Sequence, residues 1–386
     1  MPRADDSLLV PDAAALVDRA RAVTGLSDRG PDDFYPALEV LTSAIREEAE
    51  LTDEGLQIQL RELLDNLCVT LRSQAFHAAH PEIAEQPITA PVVIVGLQRT
   101  GTSKLFRNIA ADPQWNVLQT WIALDPVPPR GWQPGQPDPR LAAAEDWCAS
   151  RRWMQQAHSF HARAPEMEAL LMKPSFMLNA PALLVPTHQK WLEEADLTPA
   201  YRHLRRQLQF IQWQTGAPSG KRWILKSPPH LLSLDALAKV FPDARLVMTH
   251  RHPRSSVGSM LKLVELAQRQ FARTVDRERI RDVWLRNLSL AIERFMDFRA
   301  RHGDDRFVHV GFRDFVSDPL PAIERIYAFA DAPVTAETRA AAARWHDENP
   351  RHADGRFDYD LAEFGLTDMM IDQVFATYLS EFAEWL

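Results

Sequence analysis

A short loop of glycine and hydroxyl residues follows the first strongly apolar segment of this 386-residue chain. The segment VVIVG ends at Gly96, and the loop closes at Gly101, just before two residues with hydroxyl side chains. A strand, a glycine-bearing turn and a helix in this order direct backbone N–H groups and the positive end of the helix towards an anion. The spacing follows the pattern G-x-x-x-x-G-K-[ST] and predicts that the loop binds a phosphate group.

The residue types inside the loop limit which phosphate it can bind. Thr102 stands where nucleotide kinases and NTPases carry the lysine that contacts the β- and γ-phosphates of ATP or GTP. Arg99 supplies a cation instead, and its planar guanidinium group suits phosphate or sulfate oxygens. The hydroxyl groups of Thr100, Thr102 and Ser103 offer further donors. The alternative is an ordinary turn between a strand and a helix, with incidental hydroxyl groups.

Short apolar segments separated by helical patterns indicate the elements that position this loop. Apolar runs without alternation are typical of strands covered on both faces of a parallel sheet. The runs are VVIVG (92–96), RWILK (222–226), RLVMTH (245–250) and RFVHVGF (306–312). Helices between successive strands predict an α/β fold, with a P-loop-like parallel sheet flanked by helices.

Two regions outside the sheet show apolar residues at helical spacing. Residues 8–80 predict an N-terminal helical region, and residues 141–215 predict a helical insert that packs over the sheet. The segment 124–140 between the first sheet elements and the insert is rich in proline and glycine, which predicts a loop. We therefore divide the chain into an N-terminal helical region at 1–85 and an α/β domain at 86–386.

Charge and composition argue against several classes of protein. The net charge is −8 and the isoelectric point is about 5.9, whereas general nucleic-acid binding requires a basic face. Cys68 and Cys148 form no CxxC pair, and no spacing of histidine and cysteine indicates a metal site. The first residues lack the apolar core of a secretory signal, and no uncharged apolar run of about 18 residues occurs. We therefore expect a cytoplasmic protein with no metal and no integral membrane segment.

The loop sequence GLQRTGTSKL resembles the 5′-phosphosulfate loop of sulfotransferases, whose pattern is close to P-[KR]-S-G-T-T-x-L. A second segment, RLVMTHRHPRSSVGSM, is similar to the family's 3′-phosphate segment, in which an arginine ends a strand and a serine follows eight residues later. These two residues are Arg251 and Ser259 here. The carboxyl ends of parallel strands are where open α/β folds bind ligands, so both segments fall at one edge of the predicted sheet.

Three further segments resemble those of bacterial sulfotransferases, namely KRWILKSPPHLLSLDALAKVFPDARLV, HVGFRDFVSDP and FDYDLAEFGL. Within the second of them, Phe312 falls where an aromatic residue packs against adenine in the family. The order and spacing of the segments carry the resemblance, which covers roughly residues 91–125 and 220–365. Lys104 departs from the family pattern at a position that is aromatic in cytosolic members, and Pro228 departs at a position that is usually histidine.

The resemblance implies transfer of a sulfuryl group from 3′-phosphoadenosine 5′-phosphosulfate (PAPS) to a hydroxyl or amine group, with donor and acceptor in line. Arg99 and Lys226 are the candidates to stabilise the charge that develops on the departing phosphate and the sulfuryl oxygens. The donor would be bound by the residues of the loop, the 3′-phosphate segment and the adenine site: Arg99, Thr100, Gly101, Thr102, Ser103, Arg251, Ser259 and Phe312. The scheme needs no metal.

The acceptor hydroxyl needs a general base, and two kinds of residue could supply it. His230 follows the Lys226 strand, and an imidazole titrates near neutral pH. Glu166 and Glu168 of the insert are the rivals, because a carboxylate buried among tryptophan and methionine residues would have a raised pKa. His158 and His161 are weaker candidates.

The insert also suggests the class of acceptor. The segment EALLMKPSFMLNAPALLVPTHQKWL is apolar, with methionine and aromatic residues that accommodate hydrophobic ligands. We therefore expect a small apolar alcohol or phenol as acceptor. The N-terminal helices could line the acceptor pocket or form the surface of a homodimer. Arg351 and His352 could cover the 3′-phosphate from a mobile loop, with an ordinary surface loop as the alternative.

Two other functions remain open at this point. One is a P-loop kinase or NTPase, which the missing lysine at Thr102 disfavours. The other is a non-catalytic α/β module that binds a nucleotide or a partner protein, which the departures from the family pattern leave possible.

Overall fold

A four-stranded parallel sheet lies at the centre of the computed structural model, which describes residues 10–28, 34–132, 136–216, 218, 220–350 and 355–386. The strands are β1 (Val92–Gly96), β2 (Ile224–Lys226), β3 (Arg245–His250) and β4 (Phe307–Gly311), in the order β2-β1-β3-β4. All three pairs are parallel. The predicted α/β fold with a parallel sheet flanked by helices is therefore confirmed.

Two separate apolar cores cover the two faces of the sheet. Successive residues of a strand point to opposite faces, so Val93 and Val95 of β1 belong to one core while Val92 and Ile94 belong to the other. All five residues of β1 are buried. This explains why the strand sequences are continuously apolar instead of alternating.

The N-terminal helices share the larger core with the insert and the C-terminal helices. They are α1 (Ala13–Thr24), α2 (Tyr35–Glu48) and α3 (Asp53–Ala79). Leu16 of α1, Leu67 of α3 and Leu208 of the insert are all in that core. The side chain of Thr52 accepts a hydrogen bond from the backbone N–H of Gly55 and so caps α3. The predicted boundary at residue 85 and the predicted homodimer stay predictions.

Helices, most of them short, alternate with loops between β1 and β2. They are α4 (Thr102–Ile109), α5 (Thr120–Leu124), α6 (Pro139–Ala149), α7 (Ala169–Met172), α8 (Pro186–Glu194) and α9 (Thr198–Thr215). Residues 150–168 of the predicted helical insert are all described and contain no α-helix. They include a 3-10 turn at Arg152–Met154. Proline has no N–H and restricts the residue before it, which keeps these pieces short.

The remaining helices pack around the sheet after β2. They are α10 (Leu234–Val240), α11 (Pro253–Phe271), α12 (Arg277–His302), α13 (Phe312–Ser317), α14 (Leu320–Phe329), α15 (Ala336–Glu348), α16 (Asp368–Val374) and α17 (Ala376–Glu381). Two strands are shorter than the sequence predicts. β2 begins at Ile224 rather than at residue 222, and β4 ends at Gly311 because Phe312 already begins α13.

Backbone geometry explains both glycines of the loop between β1 and α4. Gly96 has a φ of +152° and Gly101 has a φ of +87°, values that other residues adopt only with strain. A Cβ atom at Gly96 would collide with the side chain of Thr249 on β3. A Cβ atom at Gly101 would lie 2.7 Å from the ring of Phe315 and 2.8 Å from that of Phe312. The sheet and α13 therefore leave no room for side chains at these turns.

The substitution Gly101→Ala should destabilise the protein more than Gly25→Ala does. Gly25 also has a positive φ (+69°), but its added Cβ would meet no atom within 4 Å. Gly25→Ala should cost about 1–2 kcal/mol from the left-handed backbone alone, and Gly101→Ala should cost about 1–3 kcal/mol more from overpacking. Urea unfolding of both variants measures the difference. Equal losses would show that the contacts with Phe312 and Phe315 do not constrain the loop.

Candidate functional site

The loop between β1 and α4 lies at the carboxyl edge of the sheet, where open α/β folds bind their ligands. Thr100 fixes its shape, because its hydroxyl donates to the carbonyl of Leu97 at 2.7 Å and lies 2.7 Å from the hydroxyl of Thr249 on β3. Thr100 is fully buried. The hydroxyl of Thr100 thus ties the loop together, and the predicted binding of a ligand by Thr100 stays a prediction.

Arg251 and Ser259 both lie beside the loop, where each contacts Arg99, and their predicted binding of the 3′-phosphate stays a prediction. Arg99 Nε donates to Ser259 Oγ at 2.9 Å, and Arg251 Nη1 donates to the carbonyl of Arg99 at 2.8 Å. Arg99 Nη1 also donates to the carbonyl of Ala157 in the insert. Burial and the nearby charge of Arg251 lower the pKa of Arg99 to about 10. Two neighbouring guanidinium groups that repel each other favour an anion between them.

The backbone of Arg99 has a φ of +72°, a left-handed conformation that is unusual for a residue with a side chain. The strained backbone turns its guanidinium group towards Ser259 of α11. Phe357 lies over this group, with the ring centroid 5.5 Å from Cζ. Arg99 thus groups with the predicted 3′-phosphate residues, and its predicted contact with a transferred group stays a prediction.

Phe312 lies between the loop and Arg251. Its ring lies 2.8 Å from the position that a Cβ atom on Gly101 would take. The guanidinium Cζ of Arg251 lies 4.3 Å from the centroid of the same ring. The edge of Phe312 meets Phe315 at an interplanar angle of 82°. The aromatic residue predicted to pack against a base is therefore next to both segments that the sequence predicts to bind anions.

Lys226, the last residue of β2, lies on the other side of the loop. Its Nζ donates to Ser103 Oγ at 3.2 Å and lies 3.5 Å from Glu166 Oε1. Both Lys226 and Glu166 are almost fully buried. Burial lowers the pKa of Lys226, although the Glu166 carboxylate opposes this shift. The arrangement presents one buried ammonium group to the first turn of α4.

Glu166 does not have the raised pKa that the sequence predicts. Burial alone would raise it, but His158, Lys226 and Arg107 outweigh burial and hold the pKa of Glu166 well below its usual value. Arg107 Nη2 donates to Glu166 Oε2 at 3.0 Å, and His158 Nε2 lies 2.9 Å from the same oxygen. A carboxylate held ionised in this way is a weak proton acceptor. The predicted raised pKa of Glu166 is therefore wrong, and its role as general base stays an untested prediction that this shift disfavours.

His230 is part of a buried hydrogen-bonded chain behind Lys226. Its Nε2 lies 2.6 Å from Glu168 Oε1, and its Nδ1 lies 2.7 Å from the hydroxyl of Tyr201. The second oxygen of Glu168 accepts the backbone N–H of Lys226 at 2.8 Å. The hydroxyl of Tyr201 also lies 2.8 Å from Ser233 Oγ. Glu168 is therefore a buried partner of His230 and not a solvated charge on a helix.

An apolar pocket opens between the loop, the insert and α12. Its wall includes Gln98 of the loop, Tyr201 of α9 and Ser233. The apolar part of the wall is formed by Met172, Met177, Leu178, Leu192, Leu197, Ala200, Leu232 and Trp284. The predicted apolar surface of the insert thus forms a concave site next to the loop.

Sequence reasoning missed three residues of the site, of which only Arg107 has a signal in the sequence. Arg107 follows Ser103 by four positions on α4, a spacing that places both on one helix face. Tyr201 and Thr249 have no such pattern, because their partners are distant in sequence. Of the weaker base candidates, His158 contacts Glu166, whereas His161 is exposed in a separate surface groove. Arg351 and His352 lie outside the described residues.

The described part of the chain lacks two features. No helix in it is long and apolar enough to cross a membrane. No cluster of three or more histidine, cysteine, aspartate or glutamate residues in it could hold a metal ion.

Comparison with known proteins identifies what this chain resembles as a whole. The model of the "Sulfotransferase family" matches residues 91–336. The sulfotransferase STF9 from Mycobacterium avium is 30% identical, with a TM-score of 0.87 over 98% of this chain and 97% of the other. The sulfotransferase STF1 from Mycobacterium tuberculosis H37Rv is also 30% identical, with a TM-score of 0.81 over 96% of this chain and 99% of the other. No curated protein sequence matched.

Replacing Glu166 by glutamine should lower the free energy of unfolding by about 3 kcal/mol at pH 7, because it leaves Arg107 and Lys226 buried without a charge partner. The pKa of Glu166 in the folded protein lies below its ordinary value of 4.5. The ionised form therefore contributes its full stability above about pH 4.5 and loses it as the pH falls towards the folded pKa. The gap between wild type and variant should stay constant above pH 5 and shrink below it.

Denaturant unfolding at several pH values measures this gap. Glu145→Gln is the matched control, because Glu145 is exposed on α6 and its loss should change stability by less than about 0.5 kcal/mol. A gap of the same small size for both variants would contradict the role assigned to Glu166.

Proposed function

Because the chain belongs to the sulfotransferase family, we propose that it transfers the sulfuryl group of PAPS to a hydroxyl, or an amine, of a small apolar acceptor. One observation carries the choice of donor. Arg99, Arg251 and Ser259 lie in a hydrogen-bonded group beside the loop that precedes α4, and in this proposal they are a second anion site. A nucleotide with phosphate groups on both the 5′ and 3′ positions needs two such sites at this edge of the sheet.

The two sites divide the donor between them. The 5′-phosphosulfate would lie against the backbone of Gly101 and the hydroxyl groups of Thr102 and Ser103, where the helix end favours negative charge. The 3′-phosphate would lie between Arg251 and Ser259, with Arg99 alongside. The adenine would pack near Phe312, whose ring contacts both segments.

Lys226 is the residue that would stabilise the leaving phosphate. Negative charge moves onto the bridging oxygen as the bond between sulfur and that oxygen breaks. The Nζ of Lys226 lies beside Ser103 in the first turn of α4, where this oxygen would be. Glu166 pairs with the lysine and is itself held by Arg107. Glu166 therefore positions the cation in this proposal and does not accept the proton.

His230 is the proposed final acceptor of the proton. Glu168 contacts one ring nitrogen at 2.6 Å and is itself fixed by the backbone N–H of Lys226. A carboxylate in this position orients the imidazole and stabilises its protonated form. The same strand end thus carries both the cation for the leaving group and the base for the acceptor.

The apolar pocket beside the loop supports an apolar alcohol or phenol as acceptor. Gln98 brings the pocket wall to the loop, and methionine and leucine residues of the insert contribute apolar surface to it. Apolar walls with a few polar groups favour a ligand with an apolar body and one hydroxyl group.

Binding of 3′,5′-bisphosphoadenosine, the product nucleotide, tests the donor. We expect the bisphosphate to bind and Arg251→Ala to weaken it about 10- to 100-fold, because a hydrogen bond to a charged group contributes about 1.5–3 kcal/mol. Isothermal titration calorimetry measures both affinities. Arg245→Ala is the matched control, since Arg245 is at the opposite end of β3 and pairs with Asp331.

Two results would contradict the proposed donor. A preference for ATP with Mg²⁺ over the bisphosphate would favour a kinase or NTPase. Equal losses in Arg251→Ala and Arg245→Ala would show that only the total charge matters.

A negative charge introduced into the pocket tests whether the acceptor is apolar. Leu178→Glu should raise the KM for an apolar alcohol at least about 10-fold, because burying one apolar side chain of this size contributes about 1.5–3 kcal/mol. The affinity for the bisphosphate should stay unchanged, and Leu178→Met should behave as wild type. Steady-state assays with apolar alcohols and charged sugars measure the preference. Turnover of charged sugars alone would show that the acceptor is not apolar.

A further inference from the structure

Four polar side chains form a continuous hydrogen-bonded chain between the buried end of β2 and the apolar pocket. Glu168 Oε1 is 2.6 Å from His230 Nε2, His230 Nδ1 is 2.7 Å from the hydroxyl of Tyr201, and that hydroxyl is 2.8 Å from Ser233 Oγ. Glu168, His230 and Tyr201 are each at most 1% exposed. All these distances are those of direct hydrogen bonds.

The partners of Glu168 fix the direction of every hydrogen bond in the chain. The carboxylate accepts the N–H of Lys226 on one oxygen, so the other oxygen accepts a proton from His230 Nε2. His230 Nδ1 is then an acceptor and receives the hydroxyl proton of Tyr201. The oxygen of Tyr201 accepts from Ser233 and keeps one further lone pair.

Only part of this chain reaches the pocket. Tyr201 and Ser233 are among the residues that line it, together with Gln98 of the loop. His230 has both ring nitrogens engaged by Glu168 and Tyr201. An acceptor hydroxyl in the pocket can therefore exchange a proton with His230 through the hydroxyl of Tyr201 without displacing either partner.

We propose that Tyr201 is a catalytic residue that relays the proton of the acceptor hydroxyl to His230. The inference rests on the proposed sulfuryl transfer and adds the group that contacts the acceptor. Tyr201 would accept a hydrogen bond from the acceptor hydroxyl on its remaining lone pair and so orient that hydroxyl for attack. Ser233 holds the phenol ring's hydroxyl in place, and Glu168 holds the imidazole.

The relay moves two protons and needs no other reactant. The acceptor proton passes to the oxygen of Tyr201 while the proton of Tyr201 passes to His230 Nδ1. The acceptor oxygen forms a bond to sulfur, and the bond between sulfur and the bridging oxygen breaks, leaving its electron pair on the phosphate. His230 ends as an imidazolium beside the Glu168 carboxylate, and it returns the proton to solvent by the same path after the product leaves.

Burial agrees with a relay and disfavours a phenolate. It raises the pKa of Tyr201 above the ordinary value of 10, so the hydroxyl holds its proton at neutral pH. The tyrosine therefore transfers one proton as it receives another, and its own charge does not change.

Tyr201→Phe tests the relay with two acceptors that differ in their need for a base. With an apolar alcohol, kcat should fall about 10²- to 10⁴-fold, the usual contribution of general acid–base catalysis. With a nitrophenol that is already ionised at the assay pH, it should fall less than about tenfold, because no proton has to move. Equal losses with both acceptors would show that Tyr201 is only structural, and no loss with the alcohol would also overturn the proposal.

Ser233→Ala is the companion variant, because it removes a hydrogen bond to Tyr201 but leaves the relay in place. It should reduce turnover of the alcohol far less than Tyr201→Phe does. A loss as large as that of Tyr201→Phe would place the acceptor's contact at Ser233 and overturn the assignment to Tyr201.

A measurement on the unaltered enzyme covers the case in which Tyr201→Phe does not fold. Single-turnover rates with the alcohol in mixtures of H₂O and D₂O should follow a bowed curve, because two protons move together. A straight line would mean that one proton moves and would overturn the relay. If the proposed function itself is wrong, the result is different, because the unaltered enzyme would then bind no bisphosphate. It would also transfer no sulfuryl group to either acceptor.

Discussion

Two buried carboxylates, those of Glu166 and Glu168, hold the helical insert against the end of β2, and the rest of the site depends on this contact. Glu166 neutralises Lys226 and Arg107, which would otherwise be buried without a partner. Glu168 accepts the backbone N–H of Lys226 and fixes His230. Charges of this kind are tolerated inside a protein only when they are paired and hydrogen-bonded. The same contact thus provides stability and sets the position of the functional groups.

A second constraint acts on the loop between β1 and α4. The hydroxyl groups of Thr100 and Thr249 tie it to β3, and the ring of Phe312 closes its other side. The loop therefore does not need to order itself around a ligand, which keeps the entropic cost of binding low. Its rigidity also explains why Arg99 can hold a left-handed backbone, since such strain persists only where surrounding contacts determine it.

The charges around Lys226 are balanced, whereas those around Arg99 and Arg251 are not. Around Lys226, acidic and basic groups balance in a buried network, so the cation is fixed before any substrate arrives. Around Arg99 and Arg251, two like charges lie close together, and burial with repulsion lowers the pKa of Arg99. An anion bound there relieves the repulsion. The proposed division of labour follows from this difference: one cation assists the reaction, and the guanidinium pair binds the donor.

The sequence by itself determined the strands, the loop and the placement of Arg251 and Ser259 beside it, because these depend on local patterns. A continuous apolar run, a glycine spacing and an eight-residue offset from strand to helix can all be read along the chain.

The sequence could not determine the state of Glu166 or the partners of His230. Burial alone suggested a raised pKa for Glu166, and the three basic side chains that lower it come from α4, β2 and the insert. Tyr201 lies 29 residues from His230 and meets it only after α9 packs beside the end of β2. Electrostatic shifts and hydrogen-bonded chains depend on distances between elements, and only the tertiary structure decides those distances.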